Sequence, residues 1–181
     1  GAGITSVTNA SGAVTDFEVY NSRFYKNVAG DIPGRPGYTG SSLSLFANQG
    51  TINATVVNNT FAYNQEDGSN VANDDVGTVV LRRLDNSASD VTNLELHNNI
   101  FFGNKANNNL TPGTVALMNR PNNLINSMNL SNNVLDVGPI SSNAQNITIE
   151  GSTGNLSNAD PDFIDGPNGD LRLTSSSWVV D

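Results

Sequence analysis

One eight-residue pattern occurs four times without gaps: Phe17-Glu-Val-Tyr-Asn-Ser-Arg-Phe24, Ala54-Thr-Val-Val-Asn-Asn-Thr-Phe61, Leu94-Glu-Leu-His-Asn-Asn-Ile-Phe101 and Met128-Asn-Leu-Ser-Asn-Asn-Val-Leu135. The copies start 37, 40 and 34 residues apart. In each, the first and third positions are apolar and the second is usually polar, the period-two signature of a strand buried on one face. A short strand and bend that returns at nearly constant distance cannot bury its apolar face alone, so the copies must stack on one another.

Stacking turns aligned residues into columns. Asn21, Asn58, Asn98 and Asn132 form one column, expected to be a hydrogen-bonded ladder at a bend. Phe24, Phe61, Phe101 and Leu135 form another, expected to be an apolar spine. Asn27, Asn64 and Asn104 mark a second bend. A further strand recurs as Leu43-Ser-Leu45, Val79-Val-Leu81, Val115-Ala-Leu117 and Ile147-Thr-Ile149, spaced by 36, 36 and 32 residues. The period exceeds the roughly 20 to 29 residues of a compact solenoid coil, so the surplus at 28–41, 65–77, 105–113 and 136–145 is expected to leave the stack as loops on one side. These columns predict an all-β solenoid of about four to five coils with side loops. It would form a single domain over 1–181, with 155–181 as a terminal coil or cap. An antiparallel sandwich also has many short strands, but has no reason to repeat one bend sequence.

Composition fits a thin, repetitive core. The 181 residues are only 36% hydrophobic, with 17 glycines and 30 asparagines, residues that accept sharp bends. The net charge of −9 argues against nucleic acid or an anionic membrane as a partner, because binding phosphate needs Lys and Arg on one face. There is no cysteine, hence no disulfide or thiolate metal site. No apolar run is long enough to insert in a membrane as a helix. The sequence lacks an initiator Met and a charged, apolar leader, and is expected to be a processed part of a longer polypeptide.

With these motifs in hand, the chain resembles right-handed parallel β-helix proteins of pectate-lyase-like architecture, whose coils carry an Asn-Asn-x-Phe/Ile-x-x-Asn signature. Within that group it is similar to large exported bacterial surface proteins. Gly1-Ala-Gly-Ile4 is similar to their glycine-rich coil start. Asn158-Ala-Asp-Pro-Asp-Phe-Ile-Asp165, Asn168-Gly-Asp-Leu-Arg-Leu-Thr174 and Ser177-Trp-Val-Val-Asp181 resemble their closing Ala-Asp-Pro-x-Phe, Gly-Asp-x-x-Leu and Ser-Pro-Ala-Ile-Asp elements. Trp178 stands where the family usually has Pro. The resemblance spans nearly the whole chain. It implies export to the outside of the cell, in many members alongside a surface-anchoring or type IX secretion sorting domain. Members include polysaccharide lyases and adhesins, so the fold alone selects no activity.

Outward positions of the first strand give the surface pairs Glu18/Tyr20, Thr55/Val57, Glu95/His97 and Asn129/Ser131. Glu95 beside His97, the only histidine, is a candidate acid–base pair, and Glu18, Tyr20, Glu95 and His97 are candidate glycan-binding residues. The ordinary reading, which the neighbouring repeats favour, is that Glu95 and His97 are solvated strand residues, since Thr55, Val57, Asn129 and Ser131 stand where Asp and Arg would hold uronate and calcium. Arg82 is a candidate for gripping a sugar carboxylate, with a surface ion pair to Asp85 or Asp90 as the ordinary reading. Glu66, Asp67, Asp74 and Asp75 in one loop, and Asp160, Asp162 and Asp165 near the end, are candidate ligands for calcium, which takes about six to eight oxygens. Turn chemistry is the better account of the second group, with Asp-Pro, Asp-Gly and Asn-Gly-Asp each fixing a bend. No other cofactor is expected.

Two functional readings follow. The first is a non-catalytic structural or binding module of a secreted or cell-surface protein, adhesin-like or carbohydrate-associated, with a polysaccharide, a surface glycan, the rest of a larger polypeptide or the secretion machinery as partner. The alternative is a polysaccharide lyase or glycoside hydrolase with a groove on the first-strand face.

Overall fold

A computed structural model describes residues 3–30, 40–47, 49–67, 77–83, 91–106, 111–112, 116–117, 126–136 and 147–179. The chain is all-β; among the described residues there is no α-helix, only one 3-10 turn at Gly166–Asn168.

The first strand of each repeat builds a five-stranded parallel sheet, here the long sheet. It contains β2 (Ala13–Tyr20), β6 (Gly50–Val57), β10 (Val91–His97), β15 (Asn126–Ser131) and β17 (Ile147–Thr153), side by side in that order. The repeats lie in the register read from the sequence: Phe17 pairs with Ala54, Ala54 with Leu94, and Leu94 with Met128. After the bend, β3 (Arg23–Tyr25), β7 (Thr60–Ala62), β11 (Ile100–Phe102), β16 (Val134–Leu135) and β18 (Leu156–Ser157) form a second, short parallel sheet in the same order. A third parallel sheet holds β1 (Ile4–Thr8), β5 (Gly40–Ala47), β9 (Gly77–Arg83) and β14 (Ala116–Leu117). Parallel pairing throughout these three sheets rules out the antiparallel sandwich. The loop regions open as a small sheet of their own, with β4 (Val28–Gly30), β8 (Gln65–Asp67) and β12 (Lys105–Ala106) parallel, and β13 (Thr111–Pro112) antiparallel to β12.

One strand assignment from the sequence needs correction. Ile147-Thr-Ile149 pairs with β15 in the long sheet, with Met128 opposite Ile149, and does not belong to the column of Leu43 and Val79. That column instead gains Ile4–Thr8, with Ile4 opposite Leu43 and Ser6 opposite Leu45. The reason is that Gly154-Asn155-Leu156 after β17 reproduces the first bend, which makes β17 the first strand of a fifth repeat.

Inward side chains of the three sheets meet in one cluster that includes Val19, Leu43, Leu45, Ile52, Val56, Leu94, Leu96 and Leu130. Through it runs the expected spine. Phe24 stacks on Phe61 and Phe61 on Phe101, with ring centroids 4.7 and 4.6 Å apart and planes within 8° and 6° of parallel, and buried Leu135 continues the column. The separation is that of neighbouring strands, roughly 4.8 Å, so the sheet's own spacing brings the rings face to face.

The first ladder is real, but it lies one residue beyond the predicted one. Asn21, Asn58, Asn98 and Asn132 are exposed and adopt left-handed backbone angles, φ between 50° and 58°. That conformation turns the chain and aims the following side chain inward. Asn59, Asn99 and Asn133 are therefore the buried rungs. The Asn59 N–H donates to Asn99 Oδ1 (2.9 Å), the Asn99 N–H to Asn133 Oδ1 (2.9 Å) and the Asn133 N–H to Asn155 Oδ1 (3.0 Å). Each buried Nδ2 donates to a backbone carbonyl of the preceding repeat, Val19, Val56 and Leu96 in turn. At the first repeat Ser22 replaces the rung and offers only its N–H, to Asn59 Oδ1. The second bend works identically: Lys26, Tyr63 and Gly103 take the left-handed angle, and Asn27, Asn64 and Asn104 are the rungs, as expected from the sequence. The Gly103 N–H donates to a carboxylate oxygen of Asp136, the residue after the Phe101 partner Leu135, at 2.6 Å.

The closing segment folds back across the outer face of the short sheet. Its hairpin, β19 (Phe163–Asp165) and β20 (Asp170–Leu173), lies over an edge-to-face chain of outward aromatic rings: Tyr25 on Tyr63, Tyr63 on Phe102, Phe102 on Phe163. The Tyr25 hydroxyl donates to the Pro167 carbonyl (2.8 Å), and Gly166 lies so close to the Tyr63 ring that a Cβ there would collide with it. The segment is clasped on itself, since the Ser177 hydroxyl donates to the Pro161 carbonyl (2.7 Å) and the Thr174 N–H to the Asp162 carbonyl.

Candidate functional site

The long sheet turns one face inward, so alternate residues of its strands stand outside in rows along the stack. One row runs Asp16, Asn53, Asn93; the next Glu18, Thr55, Glu95, Asn129; the next Tyr20, Val57, His97, Ser131, Thr153. Register alone sets these neighbours. In the first row the amides link across strands, Asn53 Nδ2 donating to Asp16 Oδ1 and Asn93 Nδ2 to Asn53 Oδ1, both 2.9 Å.

His97 is engaged on both ring nitrogens. Nε2 lies 2.7 Å from Glu95 Oε2 on its own strand, and Nδ1 lies 2.5 Å from Ser131 Oγ on the next. With Nε2–H donating to the carboxylate, the Nδ1 lone pair accepts the serine O–H, which gives a carboxylate–imidazole–hydroxyl line. The imidazole side chain is 27% exposed and the Glu95 side chain 47%. Glu95 and His97 thus meet as the sequence suggested. Ser131 was visible only as an outward residue, although the register of the repeats already set it beside His97.

Such a line can move a proton. It is poorly equipped for acyl transfer, which needs spare N–H donors to hold a developing oxyanion. The adjacent Asn98 and Asn132 N–H groups are committed to the Ser131 and Thr153 carbonyls. Glu18 and exposed Tyr20 share this outer face but stand two strands from Glu95 and His97, roughly 9.6 Å away, with Thr55 and Val57 between. The four predicted binding residues line one surface and do not converge on one point.

Arg82 lies on β9 opposite Phe46, and its side chain is outside the described part of the structure. Glu66 and Asp67 lie on β8 with side chains likewise outside it; Asp74, Asp75, Asp85 and Asp90 lie outside the described residues. The terminal acids are held by their own turns. Asp160 accepts the Asp162 N–H (2.9 Å), and both oxygens of Asp165 accept from Asn168 Nδ2 (3.1 Å). Among the described residues no three acidic or histidine side chains converge to hold a metal ion. Asp170 forms a two-pronged ion pair with Arg172, whose hydrogen bonds hold the Asp170 carboxyl down to about 2. Burial, then the nearby Asp160 carboxylate, pushes the Tyr63 phenol above its ordinary value.

Set beside known protein families, curated proteins and solved structures, the chain matches none.

Proposed function

We propose that this chain is a right-handed parallel β-helix segment of an exported bacterial surface protein, and that it serves as a non-catalytic, carbohydrate-associated module. The observation that carries the reading is the pair of asparagine ladders with the phenylalanine stack between them, held in register across successive repeats. Parallel neighbours that are each separated by an excursion through two other sheets are the arrangement a solenoid requires. Crossovers between parallel strands are right-handed in nearly all proteins, which supports the handedness. The polar outer rows of the long sheet offer amides, hydroxyls and carboxylates at strand spacing, suited to the hydroxyls of a glycan lying along the stack. The resemblance of the closing segment to exported surface proteins supports the location.

An enzymatic reading, a lyase or hydrolase acting on polysaccharide, is favoured by one observation, the Glu95–His97–Ser131 line. A reducing-end and unsaturated-uronate assay over a panel of polysaccharides separates the two. The expected outcome is no product above background together with retention on at least one immobilised polysaccharide. Product that disappears in His97→Ala would replace the binding reading with the enzymatic one.

A further inference from the structure

Away from the long-sheet face, the first bend and the closing segment bound a groove of about 560 Å³. One side is the column of left-handed asparagines, Asn58, Asn98 and Asn132. The floor is the outward row of the short sheet, with Ile100 and Val134. Trp178 and its neighbours in the closing segment form the other side.

Three features give this groove a chemistry. The side-chain amides of Asn58, Asn98 and Asn132 make no hydrogen bond to other described residues; those of Asn58 and Asn98 offer donor and acceptor, and that of Asn132, whose Oδ1 packs against Gly154, offers its N–H groups, one amide per repeat. The Trp178 indole is 46% exposed although it sits over an apolar floor. None of the described residues lining the groove is charged. Spaced amides pair with vicinal hydroxyls, an exposed indole covers the C–H face of a pyranose ring, and an uncharged lining gives no foothold to a carboxylate or phosphate. A chain carrying −9 also repels polyanions.

We infer that this groove binds a neutral oligosaccharide, with one ring stacked on Trp178 and successive hydroxyls hydrogen-bonded by the Asn58, Asn98 and Asn132 amides. The inference rests on the carbohydrate-associated reading above and gives that reading a specific place, at the bend, apart from the Glu95–His97 face.

Trp178 is the only tryptophan, so its emission reports on this groove alone. The probes are cellohexaose, xylohexaose, mannohexaose and maltohexaose, with hexagalacturonate as the charged comparison. Emission is read for the intact chain, and calorimetry for the chain and its variants. At least one neutral hexasaccharide is expected to change the emission saturably while hexagalacturonate does not. Trp178→Ala should weaken that binding at least about tenfold. Asn98→Gly, which keeps the left-handed turn while removing the amide, should weaken it roughly three- to tenfold. If a hexasaccharide binds by calorimetry, is unaffected by Trp178→Ala and is weakened by His97→Ala, the groove is refuted and the carbohydrate reading stands on the long-sheet face. If no member of the panel binds by either method, both are refuted.

Discussion

At each first bend two neighbouring side chains meet different demands. The residue that turns the chain needs tolerance of a positive φ, which Asn has and Gly has more fully. The residue after it needs an amide with both a donor and an acceptor, because a buried backbone N–H and a buried carbonyl of two different repeats depend on it. Asn99→Leu leaves those groups unpaired and should cost about 2–3 kcal/mol in denaturant unfolding. Asn98→Gly should change stability by less than about 1 kcal/mol. A larger loss for Asn98→Gly than for Asn99→Leu would return the ladder to the column first inferred from the sequence. That first inference followed the residue identical in all four copies, Asn21, Asn58, Asn98 and Asn132. That residue is repeated for its left-handed turn, and the turn makes the next side chain the inward one. The clue lay in the fifth repeat, where Gly154 takes the turning position at φ 70° and Asn155 still supplies the rung. Gly can turn a chain but cannot form a rung.

Among the elements, the spine and the closing segment respond to different perturbations. Phe61 is fully buried between two parallel rings, so Phe61→Ala should cost about 3–5 kcal/mol and lower the melting temperature accordingly. The closing segment is held at the surface by Tyr25 to Pro167 and by ring edges, and carries the Asp170–Arg172 pair within its own strand β20. The Asp170 carboxyl is depressed from 3.8 to about 2, so its contribution is complete above about pH 4 and disappears as pH falls from 4 toward 2. The melting temperatures of the parent chain and Asp170→Asn should therefore differ at neutral pH and converge near pH 2. Tyr63 behaves oppositely. Its raised pKa favours the neutral phenol in the folded state, so stability holds below pH 10 and declines as pH rises beyond it. Tyr63→Phe should lessen that alkaline loss in thermal melts followed by circular dichroism. The closing motif was legible in the sequence as an element, and its Ser177–Pro161 clasp explains why its separated pieces belong together. Which face it would cover was not legible, because Tyr25, Tyr63 and Phe102 carry no shared motif: Tyr25 and Phe102 share a row of the short sheet only through its register, and Tyr63 joins them from the second bend.

Across the whole molecule, register was the most readable property, since four copies of one pattern set the pairings of the long sheet. The outer rows followed from it, including His97 beside Glu95. Convergence of Glu18 and Tyr20 with that pair did not follow, because two strands of a parallel sheet keep them apart. Ile147–Ile149 was misplaced because near-constant spacing was taken as membership of a column, whereas the last repeat is shorter than those before it. Asp160 Oδ1 and both Asp165 oxygens accept hydrogen bonds from their own turns, so the closing segment is expected to hold its shape without a cation; a fall of several degrees in the melting temperature on adding excess EDTA would establish a bound one. Contacts between successive rungs of the first ladder span 37, 40, 34 and then 22 residues, with the same backbone N–H to Oδ1 hydrogen bond at each step. The stack is therefore indexed by its amides and is indifferent to the count of residues between them. Segments can be lengthened, shortened or exchanged on the loop side without shifting a single rung, and each insertion leaves its neighbours' pairings as they were. A lineage of such chains could diversify its loops freely while inheriting the same frame.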